Sequence, residues 1–308
     1  MPDDTAAETP ETPSTPPAGP SKRRALVHRT YSTILLIGIL VAAFLFSQNW
    51  LYAVLFTFIS MSALVEYFRL FPISGFRRFR WQAYGVGIAY IALIFAPIWG
   101  FEAAWLGNLD GLAISLLVTL MVLSRLRKPL EGFRTLDEIT ATLFGFIYCV
   151  ILLSFVPRIL MLPLVDTSGN PSSASYIIYL IAVTKLTDTG AYLVGSMIGK
   201  NKMVPHVSPG KTWQGFGGAI LFAVVGSYVL CLTMGENIPL ITPLHAGLLA
   251  VVLALFGVLG DLAESILKRS LEVKDSGHVM PGIGGFLDLI DSVIFTAPVF
   301  FIYLLIFS

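Results

Sequence analysis

The sequence predicts an all-α, polytopic integral membrane protein of about nine transmembrane helices. Of its 308 residues, 56% are hydrophobic and only 13% are charged, with a mean hydropathy of +0.79. A soluble domain carries about 25% charged residues, so this chain has too little polar surface to stay folded in water. Its apolar residues gather in runs near the length of about 20 residues that a helix needs to cross a bilayer. Its charges gather between those runs.

Residues 1–21 are rich in Pro, Thr, Ala and acidic side chains and have nothing to bury. Together with Lys22, Arg23 and Arg24 they read as a disordered cytoplasmic tail, 1–24. The tail is not a secretory signal, because the basic residues follow it and the next apolar run is long enough to span. A single membrane domain then covers 25–308. Its expected spans are 31–48, 50–68, 82–98, 109–124, 139–156, 175–195, 217–235, 244–266 and 289–307. A very short turn near Ser47–Trp50 joins the first two as a hairpin.

Orientation follows from the basic residues. With the tail in the cytoplasm, alternate loops collect 18 of the 20 lysines and arginines on that side. Arg158 alone falls opposite, and Lys185 falls within a span. That asymmetry sets the N-terminus inside and, with an odd number of spans, the C-terminus outside. The net charge of +1 gives no reason to expect a nucleic-acid partner. Cys149 and Cys231 lie in apolar runs and read as small buried side chains, and four scattered histidines build no zinc site with them.

An ionisable residue within a span is a functional candidate, because leaving it unpaired there is costly. The first half of the chain offers one, Glu66; the second half offers many. Lys185, Asp188 and Tyr192 recur at intervals of three and four and share a helical face. A self-neutralising Lys–Asp pair would account for two of them. A polar loop follows, Gly199 to Gly215, with Ser208, Lys211 and Thr212. Gly210-Lys211-Thr212 resembles the end of a phosphate loop, but Pro205 stands where its first glycine would be and no strand is expected before it. Glycine-flanked amides, a lysine and two hydroxyls still suit a phosphate.

The densest stretch runs from Gly260 to Ser292. Asp261, Glu264, Ser265 and Lys268 fall on one helical face, a Gly- and Pro-rich loop follows, and Asp288 and Asp291 open the next helix three residues apart. Two carboxylate pairs meeting across a turn cannot all stay ionised without a cation. Oxygen ligands without a Cys/His cluster favour Mg²⁺. Acids, then basic residues, then glycines form the inventory for metal-assisted phosphoryl or nucleotidyl transfer.

Ser265-Ile-Leu-Lys-Arg269, Lys274-Asp275, Pro281-Gly-Ile-Gly-Gly285 and Leu287-Asp-Leu-Ile-Asp291 together resemble the C-terminal signature of the phosphatidate cytidylyltransferases. Asp188 through Tyr192, Gly199-Lys200 and Ser208-Pro-Gly-Lys-Thr-Trp-Gln-Gly215 resemble that family's second block. The resemblance covers about 30–308 and is specific over roughly 180–295, the expected catalytic region. It implies a multipass helical enzyme of the inner cell membrane that converts CTP and phosphatidic acid to CDP-diacylglycerol and pyrophosphate. It further implies one or two Mg²⁺ ions, a homodimer and a cytoplasmic active site.

By matching position, the resemblance makes Asp261, Asp288 and Asp291 metal-holding and, with Lys268, catalytic. It gives substrate contacts to Asp188, Ser208, Lys211, Thr212, Glu264, Ser265, Arg269, Lys274, Gly284 and Gly285. Three positions depart from the family: Ile283 stands where His is usual, Leu289 where Arg is usual, and Gln214 where Glu is usual. With Ile283 in place and His278 read as a loop residue, no histidine is expected to act as a base. A CTP-dependent lipid kinase of the dolichol type is the nearest rival, and an archaeol-type synthase differs mainly in its lipid tails. A transporter fits less well, because the polar residues crowd into the second half without an internal repeat.

Overall fold

The computed structural model describes residues 49–71, 79–101, 107–127, 131–273 and 285–308. The tail, the first expected span, Lys274, His278, Ile283 and Gly284 therefore lie outside the described residues. The others form helices α1 (Asn49–Leu70), α2 (Arg80–Ile94), α3 (Leu109–Arg125), α4 (Phe133–Phe146), α5 (Phe155–Leu160) and α6 (Ser173–Ile198). A short hairpin of β1 (Lys202–Val204) and β2 (Ser208–Thr212) follows, and then α7 (Trp213–Met234), α8 (Pro243–Ser270) and α9 (Phe286–Phe307).

Each of the eight expected spans within the described residues meets a helix, and the fold is that of a helical, multipass membrane protein. Among the described residues, six helices are long and apolar enough to cross a bilayer, counting α4 and α5 as one bent element over Phe133–Leu160. The remaining two, α2 with 15 residues and α3 with 17, are shorter than a full crossing requires. Helix α2 stops at a 3₁₀ turn that begins Ala96-Pro97. Proline closes the α-helix there because it has no N–H to donate and disfavours α geometry in the residue before it. The bend after α4 comes from a widened turn at Ile147–Ile151, in which the Leu152 amide reaches back five residues to the Ile147 carbonyl at 2.9 Å.

Exposed apolar side chains along α7, among them Leu221, Val225, Val229 and Leu232, would be a liability in water and are normal facing lipid. Inside, large rings fill the space between α1, α2, α4, α6 and α9. Tyr67, Tyr90, Tyr176, Tyr179 and Phe300 are all buried. The tyrosine hydroxyls find partners in the interior: Tyr67 donates to the Ala141 carbonyl at 2.8 Å, and Tyr179 pairs with Ser227 at 2.5 Å.

Helix starts are written into the sequence. Thr242 accepts the His245 amide ahead of Pro243 at the first turn of α8, and Thr212 accepts the Gly215 amide at 3.1 Å to start α7. The loop expected between the sixth and seventh spans is more ordered than its composition suggested. Strands β1 and β2 pair antiparallel, with Lys202 opposite Thr212 and Val204 opposite Ser208, so a strand does lead directly into α7.

Helices α6 and α7 approach closely at Gly190 and Gly218. A Cβ on Gly190 would meet the Gly218 carbonyl, and one on Gly218 would meet Val194 and the Gly190 carbonyl. Small residues let helix backbones meet where lipid supplies no hydrophobic drive for association. Gly218→Val should lower stability by about 1–3 kcal/mol, the usual cost of overpacking, or prevent folding. Gly217→Ala, exposed and facing open space, should unfold within a degree or so of wild type in the same thermal scan in detergent.

Candidate active site

The site is assembled by four elements: α6, the β2 strand, the second half of α8 and the first turns of α9. Gly260 allows α8 to touch α9, since a Cβ there would strike the Asp291 carbonyl and the Ser292 Cα. That contact brings the acidic residues of two helices and of α6 onto one point, the Ser292 hydroxyl. Its Oγ lies 2.6 Å from Asp261 Oδ1, 3.0 Å from Asp188 Oδ1 and 3.2 Å from Asp291 Oδ1. The Ser292 amide donates to Asp291 Oδ1 at 2.6 Å.

Two lysines flank this trio. Lys185 Nζ lies 3.1 Å from Asp188 Oδ2 and donates to the Leu289 carbonyl at 3.0 Å. Lys211 Nζ, carried on β2, lies 3.2 Å from Asp261 Oδ2. Three carboxyl groups and two ammonium groups thus meet inside the bundle. Beside them opens a cavity of about 290 Å³ whose wall includes Asp188, Tyr192, Ser208, Lys211, Thr212 and Asp261. The cavity therefore joins the expected phosphate loop to the expected acidic helix.

A second charged group lies further along α8. Lys268 pairs with Glu264 at 3.0 Å and with Asp288. Asp288 also accepts the Gly285 amide at 3.1 Å, capping α9 from its third position. The acids expected to act as one set are thus divided: Asp261 and Asp291 meet with Asp188, whereas Asp288 turns to Lys268. Among the described residues, no three of His, Cys, Asp and Glu surround a common point as metal ligands. Asp188, Asp261 and Asp291 surround Ser292 and the lysines instead.

The other expected residues also have defined places. Ser265 bonds back to the Asp261 carbonyl at 2.8 Å, and Thr212 spends its oxygen on the α7 cap. Arg269 reaches the Val207 carbonyl in the hairpin at 3.4 Å, tying α8 to that loop. Gly285 is the residue before α9. Gln214, the departure from Glu, accepts the amides of Lys200 and Asn201 at 3.2 Å each. Its amide oxygen pins the hairpin entrance without a charge. Leu289 serves through its backbone, whose carbonyl receives Lys185.

Two residues central to the site were not assigned to it by sequence. Ser292 is a lone hydroxyl in an apolar helix, and its one signal is that it directly follows Asp291. Glu66 stood out only as an acid within a span. It is fully buried on α1, and its Oε2 accepts the Leu287 amide at 3.0 Å, holding the start of α9 from 221 positions away. A carboxylate at a helix N-terminus also complements the helix dipole. Glu66→Leu leaves the Leu287 amide buried without an acceptor and should cost about 1–3 kcal/mol in denaturant or thermal unfolding. Glu66→Gln keeps an acceptor oxygen and should recover most of that loss.

Comparison with known proteins identifies the family. Residues 27–307 match the Cytidylyltransferase family. The chain is 35% identical over 268 residues to the uncharacterized protein YnbB of Escherichia coli, covering 83% of this chain and 80% of that one. It is 46% identical over 134 residues to the phosphatidate cytidylyltransferase of Bacillus subtilis. It is 42% identical over 130 residues to the phosphatidate cytidylyltransferase of Staphylococcus saprophyticus. These last two matches take in 44% and 42% of this chain and about half, 49%, of each relative's length. The chain belongs to the cytidylyltransferase family and is a nucleotidyltransferase built within a bundle of membrane-spanning helices.

Proposed function

We propose that the protein is a phosphatidate cytidylyltransferase, converting CTP and phosphatidic acid to CDP-diacylglycerol and pyrophosphate in phospholipid synthesis. The observation that carries this reading is the acidic trio on Ser292, flanked by Lys185 and Lys211, beside a cavity of about 290 Å³ lined by Ser208, Lys211 and Thr212. The names of the Bacillus and Staphylococcus relatives supply the substrates. In the reaction, an oxygen of the lipid phosphate attacks the α-phosphorus of CTP. The bond between that phosphorus and the bridging oxygen to the β-phosphate breaks, and pyrophosphate leaves.

The attacking group needs no strong base. A phosphate monoester has its second pKa near 6 and is largely a dianion at neutral pH. Its attack on an anionic nucleotide is limited by charge repulsion and orientation, which positioned cations relieve. Lys211, on the hairpin at the cavity wall, is placed to meet a phosphate, with Ser208 on the same strand. Lys185, on α6, pairs with Asp188.

The donor chemistry fits Mg²⁺. One hydroxyl has one proton, so it can satisfy only one of the three carboxylate oxygens it touches. The other two approaches leave acceptors facing an acceptor. Asp188, Asp261 and Asp291 do not yet converge as ligands and would have to turn from Ser292 to hold the ion, which, when bound, would neutralise developing charge on the transferring phosphoryl group. Lys268 and Asp288, paired to each other, brace the turn that presents Asp291. A nine-span topology with the tail and active site in the cytoplasm, in the inner cell membrane and as a homodimer, completes the proposal.

Purified protein given phosphatidic acid and CTP labelled at either the α- or the γ-phosphate tests the reaction. Label should enter lipid from the α position only; lipid label from the γ position would make the protein a CTP-dependent lipid kinase. Asp261→Asn should lower kcat by roughly a hundredfold or more, since it removes charge stabilisation worth several kcal/mol, while expression is retained. For orientation, a single cysteine at Ser208 in a Cys149/Cys231-free background should react with an impermeant maleimide only after the cytoplasmic face is opened. Labelling in intact cells would reverse the topology.

A further inference from the structure

Tyr148 lies in the widened turn at Ile147–Ile151, between α4 and α5, and is only 4% exposed. Its hydroxyl is buried and meets no hydrogen-bond partner among the described residues. Three other buried tyrosines have theirs: Tyr67 bonds to the Ala141 carbonyl, Tyr90 to Asp110 and Tyr179 to Ser227. A phenol O–H shut away from water without an acceptor costs about 1–3 kcal/mol. Phenylalanine would fill the same space without that cost. The hydroxyl therefore points to an acceptor that reaches it in another state of the protein.

Packing shows on which side that acceptor lies. The Tyr148 ring stacks on Phe144 at 5.7 Å and meets the Phe295 ring of α9 edge-on at 6.2 Å. Phe295 stands four residues after Asp291, so the two share a face of α9. Tyr148 thus leans on the side of α9 that carries Asp291. Its hydroxyl is within electrostatic reach of Glu264, Asp291 and Asp261. Two ring contacts leave the phenol little freedom to point elsewhere. Widened turns of this kind recur where a helix must aim a side chain at a functional site.

Of those three acids, Asp291 has the most to gain from a donor. Glu264 already holds Lys268 at 3.0 Å, and Asp261 holds Lys211 at 3.2 Å. Asp291 takes its bonds from the amide and hydroxyl of Ser292, and turning toward a cation weakens both. It is 8% exposed, whereas Asp188 and Asp261 are half-buried and more open to water. A carboxylate that holds a metal is itself hydrogen-bonded, which fixes its orientation. We propose that Tyr148 is a positioning residue of this site: its hydroxyl donates to the Asp291 carboxylate when Asp291 turns from Ser292 toward a divalent cation. The assignment rests on the reading of Asp188, Asp261 and Asp291 as the groups that hold that cation.

Mn²⁺ titration of the full chain in detergent, without nucleotide or added lipid, tests this through the electron paramagnetic resonance signal of the free ion. Tyr148→Phe should bind Mn²⁺ roughly tenfold or more weakly than wild type. In EDTA it should melt at or above wild type, because it deletes a buried hydroxyl that has no partner there. Tyr179→Phe is the control. It removes a bonded hydroxyl about 13 Å along α6 from Asp188, so it should melt lower and bind Mn²⁺ as wild type does.

Wild-type Mn²⁺ affinity in Tyr148→Phe, with the ion lost from Asp261→Asn, would overturn the assignment of Tyr148 and leave the acidic trio standing. Retention of the ion by Asp261→Asn as well would remove the cation reading and this proposal with it. Unchanged Mn²⁺ affinity with weakened CTP binding in Tyr148→Phe would give the hydroxyl to the nucleotide instead, and the proposal would fail. Equal losses in Tyr148→Phe and Tyr179→Phe would mark a general packing effect and likewise overturn it. So would melting of Tyr148→Phe well below wild type in EDTA, which would mean that the hydroxyl is already bonded at rest.

Discussion

Three carboxylates share one hydroxyl proton inside this helical bundle, and the rest of the site is arranged around that constraint. Ser292 touches Asp188, Asp261 and Asp291 but can donate to only one of them at a time. In the low dielectric between helices, the remaining repulsion is far larger than it would be in water. Lys185 and Lys211 offset most of it, and each comes from a different element: one from α6, one from the hairpin. An arrangement that needs added positive charge to settle is also one that would hold a divalent cation between itself and a polyphosphate.

Holding these groups together requires backbone contacts that few residues permit. Gly260 lets α8 lie against α9, and Gly190 with Gly218 lets α6 lie against α7. The hairpin is set by Thr212 capping α7 and by Gln214 receiving two amides at its entrance. Glu66 then fixes the first turn of α9 from α1, so the amino-terminal half of the described bundle positions chemistry carried by the other half.

Much of the fold was legible because long apolar runs have few alternatives: each expected span among the described residues meets helix, although two are cut short or bent by a turn. The site was legible as an inventory but not as a pairing. Spacings of three and four place Asp261, Glu264 and Lys268 on one face of α8, yet that face is wide enough to meet two neighbours. Asp261 turns to α6 and β2, while Glu264 and Lys268 turn to Asp288. Periodicity along one helix contains no information about which partner stands opposite. The hairpin was missed because its strands are three and five residues long and contain Pro209 and Gly210, without the alternation that marks a strand. Ser292 was missed because a single serine among apolar residues has no pattern to belong to.

The grouping of the acids is the claim on which the mechanism rests, and metal binding measures it directly. Mn²⁺ can stand in for Mg²⁺, and its free electron paramagnetic resonance signal falls as it is bound, with no need for turnover. The account predicts that wild type and Asp288→Asn bind Mn²⁺ with similar affinity, whereas Asp188→Asn and Asp261→Asn lose it. Loss in Asp288→Asn as deep as in Asp261→Asn, with Asp188→Asn unaffected, would contradict the account and place the cation between α8 and the first turn of α9 instead.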